Sequence, residues 1–584
     1  MNEFVSLARP ERWVEQDDTA VRGTAFVDGD PVDAAALAGR VAAVDTATAF
    51  RRTVERLDGF YAVVRVVDGT VYAATDHVRS VPLFYAPDLG LVSDSARLLR
   101  ERLGTPAVDG VAEAEYLTAT YVTGDETLYR GIRTLRAGEL LELDTTTPVE
   151  ATGRVRTEHH WTYSPGAAPD APEATTGERL ATLDDAMVTA FERCLAVADG
   201  RPIAVPLSGG YDSRLVAAML VRLGAEDVRT FTYGQAGSAD VRVAEDVADA
   251  LDLPWRHVEY TADDWFEWFN SADRAAYYER ADDFDAIPNL SAWPAVRRLR
   301  DEGWLPADSV VVPGQTVAGI AGHLPRSLLV ADATVADAVD AVLDQHYVQW
   351  AHDDELERAF RTRVRGVVDG VCEPEDPTSV YSAWEWQERQ AKFLCSDGRI
   401  YEDCGLDWWF PLWDPMVAAA WGALPVDDRL DKRHYTEYVE TLYADVADVG
   451  RDAAERNQVT DSRVTATVTR VRSALARSPL AGVLRPVYRR YRTRTDTRAS
   501  GQLGHLGMLS PEQFDRLYTA GRSHHAFRAL EAVGRVSFAP AHEDGWPGEV
   551  LSVDGLDRTR PATNRGVAGR STSDPPTELA ESDD

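Results

Sequence analysis

Ile203-Ala-Val-Pro-Leu207 leads directly into Ser208-Gly-Gly-Tyr-Asp-Ser213, and residues 213–223 then carry apolar side chains at helical spacing. A strand, a glycine turn and a helix in that order present backbone N–H groups to an anion. Gly209 and Gly210 have no Cβ to hold a ligand off, and the helix N-terminus adds its partial positive charge. The hydroxyls of Ser208 and Ser213 can donate to the oxygens of a pyrophosphate group. Asp212, once ionised, has no proton to give to phosphate, so its natural role is to hold the Mg2+ that neutralises a triphosphate. Two glycines alone would read as an ordinary strand-to-helix turn. The complete Ser-Gly-Gly-x-Asp-Ser string in this setting carries the more specific reading.

Downstream the alternation continues. Residues 228–233 read as a strand, 241–251 as a helix and 257–260 as a strand, which predicts an α/β domain with a doubly wound parallel sheet. Upstream, residues 177–197 have helical periodicity and follow a linker at 163–177 rich in Pro, Ala, Gly and acid. The first 160 residues differ: short alternating runs such as 60–67 and 70–74, separated by Asp-Gly pairs, predict a β-rich or α+β layer domain. Residues 334–445 read as helical and rich in Trp, suited to walling off a pocket. The expected organisation is therefore 1–160, 175–450, a helical arginine-rich extension at 451–542, and a disordered acidic tail at 543–584.

A chain of 584 residues is too long for one ordinary core, in keeping with two large domains. Its 61 Lys+Arg against 96 Asp+Glu give a net charge of -35, which repels nucleic acid and anionic lipid from most of the surface. Lys392 and Lys432 are the only lysines, so 59 of the basic residues are arginine. Acid excess with arginine in place of lysine is the pattern of an extremely halophilic cytoplasm, such as that of a halophilic archaeon. The four cysteines, Cys194, Cys372, Cys395 and Cys404, have no paired spacing and suggest neither a zinc site nor a disulfide framework. No leader-like or membrane-spanning apolar run is evident, so a cytoplasmic protein is expected.

The string at 208–213 resembles the opening of the ATP-pyrophosphatase (PP-loop) domain of the class B, glutamine-hydrolysing asparagine synthetases and their relatives, the β-lactam synthetases among them. Phe231-Thr-Tyr-Gly234, Gly237-Ser-Ala-Asp240 and Val247-Ala-Asp-Ala-Leu251 are similar to the family's second strand and helix. The resemblance places Leu207, Tyr233 and Gly234 beside the nucleotide. Pro411-Leu-Trp-Asp414 and Leu424-Pro425 are similar to its PFLD and LP segments, and Lys432 falls where these enzymes carry an essential lysine. A lysine kept in a chain that otherwise uses arginine suggests a site needing a compact ammonium charge. Asp407 falls where the family has a glutamate concerned with the attacking amine. It is expected either as a general base or as a plain solvated or capping aspartate.

Some positions depart from the family. Pro313-Gly-Gln-Thr-Val-Ala-Gly319 aligns with its second, acidic loop: Gly314 is kept, Ala318 and Gly319 stand in place of two acids, and Gln315 in place of a third. Trp409 replaces an arginine. Leu57-Asp-Gly-Phe-Tyr-Ala-Val63, Asp76, Arg79, Pro82-Leu-Phe-Tyr85, Leu128-Tyr-Arg-Gly-Ile132 and Arg136-Ala-Gly138 resemble the family's amidotransferase scaffold, an Ntn-hydrolase-like sandwich. Asn2 stands where that domain needs its nucleophilic cysteine, no cysteine precedes Cys194, and the glutamine-holding segment is missing around Arg22-Gly-Thr-Ala-Phe26.

The resemblance thus implies an AMP- and pyrophosphate-forming amide ligase using ATP and Mg2+. It would join a small-molecule or saccharide carboxylate to ammonia or an amine, without glutamine, and Lys432 would stabilise developing charge. A catalytically silent ATP-binding or scaffold homologue is the alternative. A tRNA-modifying PP-loop ligase is disfavoured by the amidotransferase-like scaffold. Residues 463–498 hold ten arginines and one acid, Asp496. This island either pairs with the protein's own acidic surface or makes a weak contact with an anionic partner. The sequence leaves the oligomeric state open.

Overall fold

The computed structural model describes residues 3–149, 151–166, 174–371, 376–458, 503–510, 524–533 and 559–561. In the N-terminal part, antiparallel strands line up in the order Val155–His159, Glu139–Asp144, Thr70–Thr75, Leu57–Val67, Thr19–Val27 and Val14–Gln16, with Asp30–Val32 also on Thr19–Val27. A four-stranded sheet lies against it, in the order Val5–Ser6, Leu91–Ser93, Phe84–Ala86 and Arg133–Thr134.

The period-2 alternation of strand Leu57–Val67 sets the layers. Ala62, Val64 and Val66 join Leu83, Tyr85 and Val92 in a core between the two sheets. Tyr61 and Val63 join Leu37, Val41, Phe50 and Val54, which lie on helices Ala34–Ala42 and Ala47–Val54. The result is the α+β sandwich that the sequence predicts.

The second part is built on five parallel strands: β1 (Ile203–Pro206), β2 (Val228–Gly234), β3 (Trp255–Glu259), β4 (Val310–Val311) and β5 (Asp407–Trp408), in the order β3-β2-β1-β4-β5. Helix α1 (Thr176–Ala198) enters it through a capping box in which Thr175 and Glu178 exchange hydrogen bonds, worth about 1 kcal/mol. Helices α2 (Asp212–Arg222) and α3 (Ala239–Ala250) are the crossovers after β1 and β2. Strand order reverses between β1 and β4, and the crevice outside the carboxyl ends of strands at such a reversal is where doubly wound sheets bind ligands.

Residues 334–445 are not all helical. Trp350–His352 and β5 interrupt them, and Trp384, Trp386, Trp413 and Trp421 are fully buried core residues rather than the wall of a pocket. Trp350–His352 pairs antiparallel with Thr559–Pro561, so the expected disorder of the tail fails at those three residues. The arginine island at 463–498 lies outside the described residues, as does Asn2.

The two parts share buried contacts centred on a π-helical stretch, Trp386–Leu394. Lys392, fully buried, donates to Val122 O at 2.6 Å, to Gly124 O at 2.5 Å and to Glu388 Oε2 at 2.7 Å. An ammonium has three donors and no acceptor, and each finds an oxygen. Trp386 Nε1 donates to His77 O at 2.7 Å, Gln387 Nε2 to Ala137 O at 3.0 Å, and Arg193 bridges Asp58 to the buried Asp414. The PFLD-like segment therefore supplies a helix cap and a buried ion pair. No described helix is long and apolar enough to cross a membrane.

Candidate active site

Leu207 is buried at the end of β1; its N–H donates to Phe231 O at 2.8 Å and its carbonyl accepts from Thr232 Oγ1 at 2.6 Å. The chain then turns through residues 208–211 into α2. The loop is tied to itself: Ser213 Oγ accepts the Ser208 N–H at 2.9 Å, and Ser208 Oγ accepts the Gly210 N–H at 3.2 Å. Gly209 N–H donates to Asp240 Oδ1 at 2.7 Å. Burial pushes the Asp240 carboxyl up to about 6, against the lowering effect of that hydrogen bond. These are the N–H and hydroxyl groups that a phosphate would claim.

Asp212 opens α2, where the helix dipole favours its negative charge. Its carboxylate is almost wholly buried; Oδ2 accepts from Lys432 Nζ at 3.1 Å, and Oδ1 has no hydrogen-bond partner among the described residues. A buried unpaired carboxylate oxygen is costly unless something else meets it, and this is the chemistry of a magnesium ligand. No cluster of three or more His, Cys, Asp or Glu side chains able to hold a metal occurs among the described residues. Were a metal held at Asp212, phosphate oxygens and water would have to complete its shell.

Lys432 reaches the loop through strained backbone. It and Asp431 both have positive φ, 55° and 53°, a conformation costing roughly 1–3 kcal/mol per residue outside glycine and concentrated at functional sites. The second loop touches the first: a Cβ on Gly314 would lie 2.7 Å from Ser213 N and 3.1 Å from the Asp212 carbonyl carbon. Gln315 donates to Asp397. Ala318 is buried in the core, and a Cβ at Gly319 would meet nothing within 4 Å. At the end of β2 the Tyr233 ring stacks on Tyr260 at 5.6 Å, and Gly234 O accepts from Tyr260 N at 2.9 Å and lies 3.0 Å from His257 Nε2.

The structure therefore gathers Ser208, Gly209, Gly210, Asp212, Ser213, Gly314 and Lys432 around one loop, with Tyr233 and Gly234 on the neighbouring strand. Asp407 is not among them, and its reading as general base is corrected. The register Ile203↔Val310↔Asp407 puts it at the start of the strands, about 16 Å of extended chain from Ser208. There it is half exposed and pairs with Arg201 at 2.6 Å. Trp409, at the arginine position, is buried edge-on against Phe60 with ring centres 4.6 Å apart.

Several neighbours of the loop escaped the sequence reading. Asp240 entered that reading only as the end of the segment Gly237-Ser-Ala-Asp240, with no role of its own. The buried Arg214 donates to Ala454 O at 2.7 Å and Arg456 O at 2.6 Å, and Asn457 Nδ2 donates to Tyr211 OH at 2.9 Å. These bonds lay residues 454–458 over the loop, where Gln458 N donates to Gly209 O at 3.0 Å.

The asparagine synthase family model matches residues 182–300, and the glutamine amidotransferase domain model matches residues 44–152. No curated protein matches the chain. Among solved structures, the glutamine phosphoribosylpyrophosphate amidotransferase of B. subtilis, complexed with ADP and GMP, is 12% identical with a TM-score of 0.16. That alignment covers 52% of this chain and 63% of the other, so the chain spans less than two thirds of that protein's length. The two family matches fall in chain order, the glutamine amidotransferase match on the sandwich and the asparagine synthase match on the doubly wound sheet, so each half is similar to one domain of the asparagine synthetase kind.

Proposed function

We propose that the protein is an ATP-dependent, AMP- and pyrophosphate-forming amide ligase. The observation that carries this reading is the meeting of Lys432 and Asp212 at the glycine loop, where the strand order reverses. The N–H groups of residues 208–210 and the hydroxyls of Ser208 and Ser213 would bind the β- and γ-phosphates of ATP, displacing the internal bonds they now make. Mg2+ held at Asp212 Oδ1 would supply neutralisation of phosphate charge. A substrate carboxylate attacks the α-phosphorus, giving an acyl-adenylate and pyrophosphate, and ammonia or an amine then displaces AMP. Lys432 stabilises the negative charge that develops in both steps. Glutamine is not the nitrogen source in this reading, since the first 193 residues hold no cysteine to attack it.

A second reading, ATP binding without turnover, is favoured by the second loop, where the buried Ala318 and the bare Gly319 offer no carboxylate. Pyrophosphate exchange into ATP, run in molar KCl over a panel of carboxylic acids beginning with L-aspartate, decides between the two. Acid-dependent exchange supports the ligase; calorimetric ATP binding with no exchange for any acid supports the silent form.

A further inference from the structure

With Asp407 at the start of the strands, amide formation needs another proton acceptor, and the helix packed against Lys432 carries one. Helix α4 (Ala318–His323) follows the second loop and packs against the segment Leu430–Lys432. A Cβ on Gly322 would lie 3.4 Å from Lys432 Cε, so the lysine stem runs along the helix at that point. His323 is the next residue, one helical turn beyond Gly319 and on its face. The space over Gly319 is open. Gly319 and His323 thus share one face of a short helix whose neighbouring residue Gly322 meets the lysine stem.

The imidazole is held. His323 Nδ1 lies 2.7 Å from Oε1 of the fully buried Glu385, at the end of helix α5 (Pro377–Glu385). Gln390 Nε2 donates to the same oxygen at 3.0 Å, and Arg389 Nη1 stands 3.4 Å from both that oxygen and the ring nitrogen. Burial would raise the Glu385 carboxyl, but the protonated form of His323, together with Arg389, outweighs it and holds it below the usual carboxylate range. An ionised carboxylate only accepts, so the proton of a neutral His323 sits on Nδ1 and Nε2 keeps its lone pair. This is a base oriented by a buried acid, the arrangement that activates nucleophiles in many acyl-transfer enzymes.

We infer that His323, positioned by Glu385, is the general base for the attacking nitrogen in the amide-forming half of the proposed reaction, and this rests on that reading. The nitrogen forms a bond to the acyl carbon, the bond from that carbon to the phosphate oxygen breaks, AMP leaves with the electron pair, and the surplus proton on nitrogen passes to His323 Nε2.

The test compares wild type with His323→Gln and Glu385→Gln. Each is assayed with ATP and the best acid of the panel, first for pyrophosphate exchange and then for AMP release driven by ammonium chloride or by hydroxylamine. Hydroxylamine is a strong nucleophile of low basicity and has little need of a base. The expected result for His323→Gln is exchange and hydroxylamine-driven release within about threefold of wild type, with ammonia-driven kcat falling about a hundredfold, the lower range of general-base effects. Glu385→Gln should show the same split at smaller size. Equal loss of all three activities would mean a structural role, and undiminished ammonia-driven release would mean no role; either overturns the inference. If wild type exchanges with no acid, the ligase reading itself fails, and the inference falls with it.

Discussion

Lys432 Nζ lies 3.1 Å from Asp212 Oδ2 across 220 residues of sequence. One of the two lysines in an otherwise arginine-based chain is thus spent on the first residue of the helix behind the phosphate loop. Lys432→Gln should lower ATP-dependent amide formation by about 10²- to 10³-fold, the usual loss when one charge-stabilising donor is removed. The melting temperature should fall as well, because the buried Asp212 carboxylate loses its cation. Lys432→Arg should not rescue, because a planar, spread guanidinium does not reproduce the compact ammonium charge that meets Asp212 Oδ2. Steady-state kinetics beside thermal melts check both.

Asp212→Asn separates the carboxylate from its shape. Removing a metal ligand should weaken Mg2+-dependent ATP affinity by at least the ~10- to 100-fold that loss of an outer-shell partner costs. Binding of ATP without Mg2+ should not weaken, since a negative charge beside the phosphates has gone. Calorimetric titration with and without the metal reads this; equal weakening in both conditions would argue against a metal role.

Gly314→Ala sets a methyl 2.7 Å from Ser213 N, against backbone that cannot yield like a side-chain end. The expected cost is about 1–3 kcal/mol of stability, with ATP binding lost because the phosphate loop itself must shift. Gly319→Ala, where a Cβ meets nothing within 4 Å, is the control and should melt like wild type.

Lys392→Met tests the other lysine. It leaves the buried Glu388 carboxylate without its cation and two carbonyls without a donor, which should cost about 3–5 kcal/mol. Adding Glu388→Gln should recover part of that loss. Differential scanning calorimetry of the single and double variants measures both, and an unchanged melting point would contradict the clamp.

Asp240 gives a pH signature. Its carboxyl titrates at about 6 when folded, against the ordinary 3.8 unfolded. Between those values the folded state holds the extra proton, so its stability falls as pH rises through the window and levels off above about 6. The full effect is roughly 3 kcal/mol. In Asp240→Asn, melting temperature should therefore decline less between pH 4 and pH 6 than in wild type. A parallel decline in the two proteins would refute the assignment.

The loop and its strand were readable because the chemistry is local: Ser208 to Ser213 are consecutive, and the apolar period changes from strand to helix across them. The reading placed β1 at 203–207 and β2 at 228–233, within a residue of Ile203–Pro206 and Val228–Gly234. Lys432 was readable for a different reason, its rarity, yet the same argument says nothing of Lys392, which rarity marks equally and the fold uses as a buried clamp. Asp407 misled because its distance in sequence from Pro411 does not tell which end of a strand it occupies; only pairing with Val310 does. Asp240, Asp397 and Glu385 act through partners 31, 82 and 62 residues away, and no local pattern announces such pairs. The strand Thr559–Pro561 was hidden by the acid- and proline-rich composition around it.

The contacts of Lys392, Trp386 and Gln387 with the carbonyls of residues 122, 124, 77 and 137 bear on why an amidotransferase-like half without a nucleophilic cysteine is present at all. Cut away, it would strand an ammonium, an indole N–H and an amide in the middle of the remaining half, along with the helix that carries them. The sandwich supplies acceptors that the buried donors of the second half need, so an excised C-terminal fragment should not fold to a functional protein.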